Sequence, residues 1–509
     1  MPGKKIHFIG ICGVAMSALA LAFKKNGWKV TGSDKGFYPP VSDNLHDAGI
    51  AFYPGWHPER MGKNGDPDLV VVGNVAGSTN TEWLYVKKHS IPYMSYPEVI
   101  AKYFVKKNSI VCAGTYGKST STAILTWIFT QAQKNPTYMF GGISLNDIPP
   151  ASLGKETPLL DKERSTPSNL GEGEVQYSIL EGDEYKTARW DNRPKFAHYS
   201  PTHLLLTSVV WDHADVYPTE QTYVDAFHKL IESVPDNGLL VMSAKVVHDN
   251  EELYKLSTLQ TFKLITYGKG EENDYQYFDV QTSKKGITFK IKHQSSVFSL
   301  QSSTLGDYMA DNMTGCFALA HQMGIDPDTI ISSLASFKNI KRRLEKRFDG
   351  KITVFDDIAH SPKKAEAVLR SLADIYTERQ TTPLLDKERA RVRSNHPKLI
   401  AIFEPNSGNR LQESKAGYDN MFTDADTVII PRLTAIKQDP TKPTPMDGAE
   451  LAKTIQKTHP NVQYIDDDEI LIQTLLSESH DGDCIVFLGS HGFRGMIESL
   501  TNQLSSRTE

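Results

Sequence analysis

Ser109-Ile110-Val111-Cys112-Ala113-Gly114-Thr115-Tyr116-Gly117-Lys118-Ser119-Thr120 is the stretch on which the fold turns. An apolar run leads into two glycines, a lysine and two hydroxyls, and a second apolar segment continues to Phe129, so the order reads strand, tight loop, helix. Such a loop lets backbone N–H groups close around phosphate oxygens, and the helix adds the positive end of its dipole. Lys118 is expected to reach the terminal phosphates of a nucleotide and Ser119 to hold magnesium. The full phosphate-loop pattern wants another glycine where Cys112 stands, so Gly114 opens a shortened loop.

A weaker version of the same theme begins the chain. Ile6 to Ile9 reads as a strand, Gly10-Ile11-Cys12-Gly13 as a turn, the segment to Lys25 as a helix, and Trp28 to Asp34 as a second strand. Against G-x-G-x-x-G, Cys12 and Ala15 occupy the second and third glycine positions, so a diphosphate suits this turn better than NAD, although Asp34 follows about 20 residues on. Lys4 and Lys5 ahead of an apolar run imitate a secretory signal, but Gly10 and Gly13 interrupt that run where the turn needs them. Further strands are expected at Leu69 to Val72 and near Ile91 to Met94.

At 509 residues the chain exceeds a single core, which rarely grows past about 250–300 residues. A net charge of -5 argues against a broad nucleic-acid surface and favours small-molecule partners. Cys12, Cys112, Cys316 and Cys484 lack paired spacing, which fits free thiols in a reducing compartment, with the cytoplasm as the expected location. No run approaches the roughly 20 apolar residues of a membrane span, so no membrane partner is expected. A monomer or weak homo-oligomer is anticipated. The fold expected is α/β in three domains: a Rossmann-like domain over 1–105, a central P-loop ATPase-type domain with a mainly parallel sheet over 106–338, and a Rossmann-like domain over 339–509.

Within the central domain a strand from Gln176 to Leu180 delivers Glu181-Gly182-Asp183-Glu184-Tyr185, and a run from Leu204 to Val210 ends in Trp211-Asp212-His213-Ala214-Asp215. Carboxylates and a histidine at strand ends are placed for magnesium beside the phosphate loop. Short β-like stretches fill 275 to 303, and Gly306 to Asn312 opens a helix in which Asn312 could read a base edge or serve as a cap. The cluster Lys341-Arg342-Arg343-Leu344-Glu345-Lys346-Arg347 precedes an expected strand, Ile352 to Phe355, and then Asp356-Asp357-Ile358-Ala359-His360. It reads either as a solvated basic face or as a source of arginine for the nucleotide. Later strands are expected at Leu399 to Phe403, Thr427 to Ile430 and Cys484 to Leu488. Thr-Pro-Leu-Leu-Asp-Lys-Glu-Arg occurs at 157–164 and again at 382–389, which suggests inserted surface loops, or else a shared docking motif.

Taken together the motifs resemble the Mur ligase family, ATP-dependent amide-forming enzymes of bacterial cell-wall synthesis. The resemblance is carried by His7-Phe8-Ile9-Gly10-Ile11-Cys12-Gly13, Val30-Thr31-Gly32-Ser33-Asp34, Ile91-Pro92-Tyr93-Met94-Ser95, Glu181-Gly182-Asp183-Glu184-Tyr185 and Arg193-Pro194-Lys195-Phe196. It implies a UDP-sugar, UDP-N-acetylmuramate, in the first domain, with Gly10, Cys12 and Gly13 near the diphosphate and Ser33 and Asp34 near the nucleoside. ATP would lie in the second domain on Gly114, Thr115, Gly117, Lys118, Ser119 and Thr120, with Asn312 reading adenine. Ser119 and Glu181 would hold one Mg2+ ion, and Glu181 and His213 would surround a second. From the third domain Arg343 would contact phosphates while Asp357 and His360 approach the nucleotide, so the catalytic set is Lys118, Glu181, His213 and Arg343.

The reaction so implied joins the lactyl carboxylate of the UDP-sugar to an amine in the third domain, through an acyl phosphate. That amine is L-alanyl-γ-D-glutamyl-meso-diaminopimelate, with L-alanine as the alternative. Departures from the family pattern are Tyr116 in the phosphate loop, Tyr308-Met309, Ser361 after His360, and Asn406 within Glu404-Pro405-Asn406-Ser407. Phe227 falls where several relatives carry a carbamylated lysine, so no carbamate is expected. Rival readings are a nicotinamide oxidoreductase built on the first domain and a nucleotide-gated binding module without catalysis.

Overall fold

The structure, a computed structural model, describes residues 3–37, 39, 41–63, 65–154, 175–211, 216–377, 396–435 and 444–507. Both copies of the repeated octapeptide and His213 lie outside the described residues. Two compact units are present: residues 1–280 with 289–302 and 310–339, and residues 281–288 with 303–309 and 340–509.

The first unit opens with a five-stranded sheet in the order β3-β2-β1-β4-β5, comprising β1 (Lys5–Ile9), β2 (Lys29–Asp34), β3 (Ala51–Pro54), β4 (Leu69–Val72) and β5 (Tyr93–Ser95). All its pairings are parallel. The unbroken apolar run Leu69-Val70-Val71-Val72 is buried throughout, as a central parallel strand covered on both faces must be. The helix Val14–Lys25 buries Met16, Leu19, Ala20 and Phe23, a spacing that lines one face at 3.6 residues per turn. Phe23 meets Trp28 and Tyr103 edge-on at 5.0 and 5.3 Å, and its full burial contributes about 2 kcal/mol.

A ten-stranded sheet follows, built from β6 (Asn108–Ala113), β7 (Thr137–Met139), β8 (Ala151–Ser152), β9 (Tyr177–Gly182), β12 (His203–Leu206), β13 (Leu239–Ser243), β14 (Lys263–Gly268), β15 (Tyr275–Ser283), β16 (Gly286–His293) and β17 (Ser296–Ser302). Between β9 and β12 the chain forms a separate antiparallel hairpin, β10 (Lys186–Ala188) with β11 (Asp191–Pro194). In the large sheet β6 lies between β9 and β12, parallel to both, with Ala113 level with Gly182 on one side and Leu206 on the other. The loop after β6, the carboxylates after β9 and the hydroxyls after β12 therefore emerge at one sheet edge. The expected strand Leu204 to Val210 is shorter than its apolar run, because Thr207 and Ser208 leave the sheet to bond the phosphate loop.

The second unit contains a sheet in the order β18-β19-β23-β20-β21-β22, with β18 (Glu345–Asp349), β19 (Thr353–Asp357), β20 (Leu399–Glu404), β21 (Thr427–Pro431), β22 (Val462–Ile465) and β23 (Cys484–Gly489). Its strands run parallel except β18, which is antiparallel to β19. The end of the basic cluster thus becomes an edge strand, and its charges suit an edge that must not recruit another sheet. With these sheets the expected three-domain α/β architecture is present. Among the described residues no helix is long and apolar enough to cross a membrane.

Candidate active site

The turn between β6 and the helix Lys118–Gln131 is held from the neighbouring strand. Thr115 N donates to Ser208 O at 2.9 Å, Tyr116 N to Ser208 Oγ at 2.9 Å, and Thr207 Oγ1 to Tyr116 O at 2.5 Å. Thr115 Oγ1 in turn donates to Val210 O at 2.8 Å and lies 2.9 Å from Tyr223 Oη. Tyr116 contributes its backbone N–H and C=O to this frame, which the family's usual histidine would supply equally. Gly117 caps the helix in the left-handed region, at φ 84°, and a Cβ there would come within 2.6 Å of Asn312 Oδ1. Asn312 sits inside the helix Tyr308–Gln322, almost buried, so it abuts the loop and does not cap the helix.

Around the loop the polar groups bind one another. Lys118 Nζ is 3.0 Å from Glu184 Oε2 and 3.1 Å from Glu184 Oε1, with the Glu184 side chain 1% exposed. Burial pushes the Lys118 ammonium down, but Glu184, Asp183 and Glu181 outweigh it and hold the ammonium above its ordinary value. Ser119 Oγ donates to Glu181 Oε1 at 2.6 Å, and Gly141 N donates to Glu181 Oε2 at 2.5 Å. Burial raises the Glu181 carboxyl despite these two bonds. Asp183 is also pushed up by burial, yet Lys195 at 2.6 Å and Lys118 hold it below the usual carboxylate range.

Among the described residues no group of three or more His, Cys, Asp and Glu side chains is arranged to hold a metal ion. The Ser119 hydroxyl and Glu181 carboxylate are nonetheless a hard-oxygen pair, which suits an ion that takes few protein ligands and completes its shell with phosphates and water. Gly114, Thr115, Gly117, Lys118, Ser119, Thr120, Glu181 and Asn312 are all in or beside this edge. Sequence reasoning quoted Glu184 without giving it a role, and it missed Gly141, Thr207 and Ser208. The acidic run after β9 was the available signal for the first; the others are brought in by strand order alone.

At the N-terminal turn, Gly10 N and Ile11 N donate to Ser33 O at 2.8 and 3.1 Å, and Cys12 N donates to Asp34 Oδ2 at 2.8 Å. Gly13 precedes the helix as its N-cap. Burial and the charge of Asp34 push the Cys12 thiol up to about 11, which removes it as a nucleophile. Behind Ser33 lies a residue the sequence did not flag. Glu82, fully buried, accepts from Ser33 Oγ at 2.5 Å, Tyr53 Oη at 2.7 Å and His57 N at 2.9 Å, with His7 Nε2 at 3.6 Å.

Within the second unit, Asp357 accepts from Leu344 N at 2.7 Å and Ala359 N at 2.8 Å, and burial raises it although Arg343 lies nearby. His360 Nδ1 is 2.8 Å from Ile358 O. Arg342 is committed to structure: it donates to Gly489 O, Ser490 O and His491 O at 2.5, 3.0 and 2.8 Å and pairs with Asp356 at 3.2 Å. Beyond the carboxyl ends of β20, β21 and β23 opens a cleft of about 440 Å3 lined by Glu404, Asn406, Ser407, Arg410, Thr434 and His491.

Three Mur ligase family models match this chain in order: the family's catalytic domain over residues 5–107, the middle domain over 112–320 and the glutamate ligase domain over 342–491. The UDP-N-acetylmuramate–L-alanyl-gamma-D-glutamyl-meso-2,6-diaminoheptandioate ligase of Haemophilus influenzae is 31% identical over 79% of the chain and 80% of its own length. A UDP-N-acetylmuramate–L-alanine ligase of Bartonella henselae is 28% identical over 98% of the chain and 96% of its own length. The crystal structure of a murein peptide ligase from Psychrobacter arcticus matches with a TM-score of 0.65 at 26% identity, covering 99% of both chains. With the loop of Lys118 and Ser119 facing Glu181 in the middle of the three matched domains, the chain belongs to the Mur ligase family and is an ATP-dependent amide ligase.

Proposed function

We propose that this enzyme joins the lactyl carboxylate of UDP-N-acetylmuramate to the free amine of L-alanyl-γ-D-glutamyl-meso-diaminopimelate, as in the recycling of cell-wall peptide. The observation that carries the activation step is the Lys118, Ser119, Glu181 cluster, where a cation and a hard-oxygen pair share the mouth of one phosphate loop. A carboxylate acylates amines poorly, so its oxygen attacks the γ-phosphorus of ATP and the bond to the ADP oxygen breaks. The amine nitrogen then attacks the acyl carbon, phosphate leaves, and the nitrogen gives up a proton. Two anions must meet in the first step, and Lys118, exchanging Glu184 for phosphate oxygens, lowers their repulsion. Magnesium, held by Ser119 and Glu181, would neutralise phosphate charge there. Asn312, against Gly117, is assigned to the adenine, and the turn at Gly10, Cys12 and Gly13 to the UDP diphosphate.

The tripeptide is favoured over L-alanine by the Haemophilus relative and by the cleft of about 440 Å3 in the second unit, which lies in the size range of sites for drug-sized ligands rather than a single alanine. Arg410 on its wall, held by Met446 O and Thr434 O at 3.1 and 2.8 Å, offers a fixed cation to a peptide carboxylate. ATP and a UDP-linked sugar as substrates fit a cytoplasmic enzyme. The test is phosphate release from ATP and magnesium with UDP-N-acetylmuramate, comparing the tripeptide with L-alanine. Turnover with the tripeptide is expected; turnover with L-alanine alone would reassign the enzyme to the first amide bond of the synthetic pathway.

A further inference from the structure

The hairpin β10–β11 has no part in the chemistry described so far, yet it connects both ends of it. Its base is fastened beside Glu181: Lys195 Nζ pairs with Asp183 Oδ2 at 2.6 Å, Lys195 N donates to Tyr185 O at 2.9 Å and Phe196 N to Asp183 O at 3.2 Å. Its tip reaches the first sheet, where Arg189 Nε donates to Asn74 O at 3.2 Å, just beyond the carboxyl end of β4. There Trp190 stacks on Trp83 with ring centroids 5.1 Å apart and planes at 20°, and meets Tyr93 edge-on at 5.8 Å. The hairpin is braced from within, since Asp191 takes Arg193 in a two-pronged pair and His198 at 3.2 Å. Despite those contacts Trp190 and Tyr93 each remain 43% exposed.

The connectivity of the sugar nucleotide gives this span a meaning. UDP-N-acetylmuramate runs from nucleoside to diphosphate to hexosamine to lactyl carboxylate. With its diphosphate on the Gly10 turn and its carboxylate beside Ser119 and Glu181, the hexosamine must cross from the first sheet to the second. The hairpin makes that same crossing. An exposed indole packs well on the C–H face of a sugar ring, and a guanidinium at the first-sheet end suits a diphosphate oxygen.

We propose that the hairpin Lys186–Pro194 clamps the sugar nucleotide, with Trp190 on the hexosamine ring and Arg189 on the diphosphate. The proposal rests on the reading that UDP-N-acetylmuramate is the carboxylate substrate. Calorimetric titration of UDP-N-acetylmuramate, UDP and ATP into the wild type and into Trp190→Ala, Trp190→Phe, Arg189→Ala and Arg189→Lys tests it. Trp190→Ala is expected to weaken UDP-N-acetylmuramate about tenfold while leaving UDP unchanged, with Trp190→Phe recovering most of the loss. Arg189→Ala weakens both uridine ligands, Arg189→Lys recovers part, and ATP binds all variants alike. Equal binding of UDP-N-acetylmuramate by wild type and Trp190→Ala overturns the clamp alone. So does a parallel loss of ATP binding and thermal stability, the mark of a merely structural hairpin. A wild type that binds no UDP-N-acetylmuramate overturns the substrate reading and the clamp with it.

Discussion

Two strand–turn–helix units in the first unit of this protein share a topology and differ in how charge is placed around the turn. The turn after β1, Gly10-Ile11-Cys12-Gly13, contains no cation, and the end of β2 holds its amides through Ser33 O and Asp34 Oδ2. The loop after β6 brings Lys118 and Ser119 among Glu181, Asp183 and Glu184, so each polar group is occupied by another. On the proposed function, the first turn offers shape without a cation, and the second exchanges buried charges for nucleotide phosphates. The lesson is that similar topology does not fix where electrostatic work is done.

The largest effect should come from breaking that exchange. Lys118→Ala is expected to reduce phosphate release about a thousandfold. It also strands the buried Glu184 carboxylate without its cation, at a cost of about 3 kcal/mol. The double variant Lys118→Ala with Glu184→Gln should therefore regain most of the stability in urea unfolding and none of the turnover. Recovery of turnover in the double variant would show that Lys118 serves only to neutralise Glu184.

A gentler comparison replaces the glycine that precedes each helix. Gly117 has φ 84° and would press a Cβ within 2.6 Å of Asn312 Oδ1, whereas Gly13 has φ −63° and its nearest Cβ contact would be Gly10 O at 3.6 Å. Gly117→Ala is expected to lose about 1–2 kcal/mol of stability and to weaken ATP in calorimetric titration. Gly13→Ala should stay within about 0.5 kcal/mol of wild type in the same unfolding experiment. Equal losses at the two positions would mean that the two turns are not conformationally distinct.

How much of this was legible beforehand depended on sequence distance. The loop from Gly114 to Ser119 could be read because strand, glycines, lysine and helix are contiguous, and the three-domain α/β plan followed from apolar runs of strand length. Contacts that cross the sheet could not be read that way: Glu184 meets Lys118 across 66 residues, and Thr207 meets Tyr116 across 91. The strand Glu345–Asp349 escaped notice because an edge strand carrying charges lacks the apolar alternation by which strands are recognised. Trp83 and Trp190 stack across 107 residues of sequence, a pairing of the same long-range kind.

Glu82 sharpens the contrast from the other side, because it brings a buried charge behind the turn that lacks one. Burial pushes its carboxyl up, but the His7 imidazole and the hydroxyls of Ser33 and Tyr53 outweigh burial and leave it below the usual glutamate range. A folded-state value below the unfolded value of about 4.3 means that the stabilisation is fully present above that pH and is lost as pH falls through the folded value. Glu82→Gln should therefore cost about 1–3 kcal/mol at pH near 7, and the gap to wild type should narrow on acidification below about pH 5. Urea unfolding of both proteins across that range reads the gap directly. A gap that stays constant with pH would make Glu82 a neutral hydrogen-bonding strut, and the N-terminal turn would then rest on no buried charge from this residue.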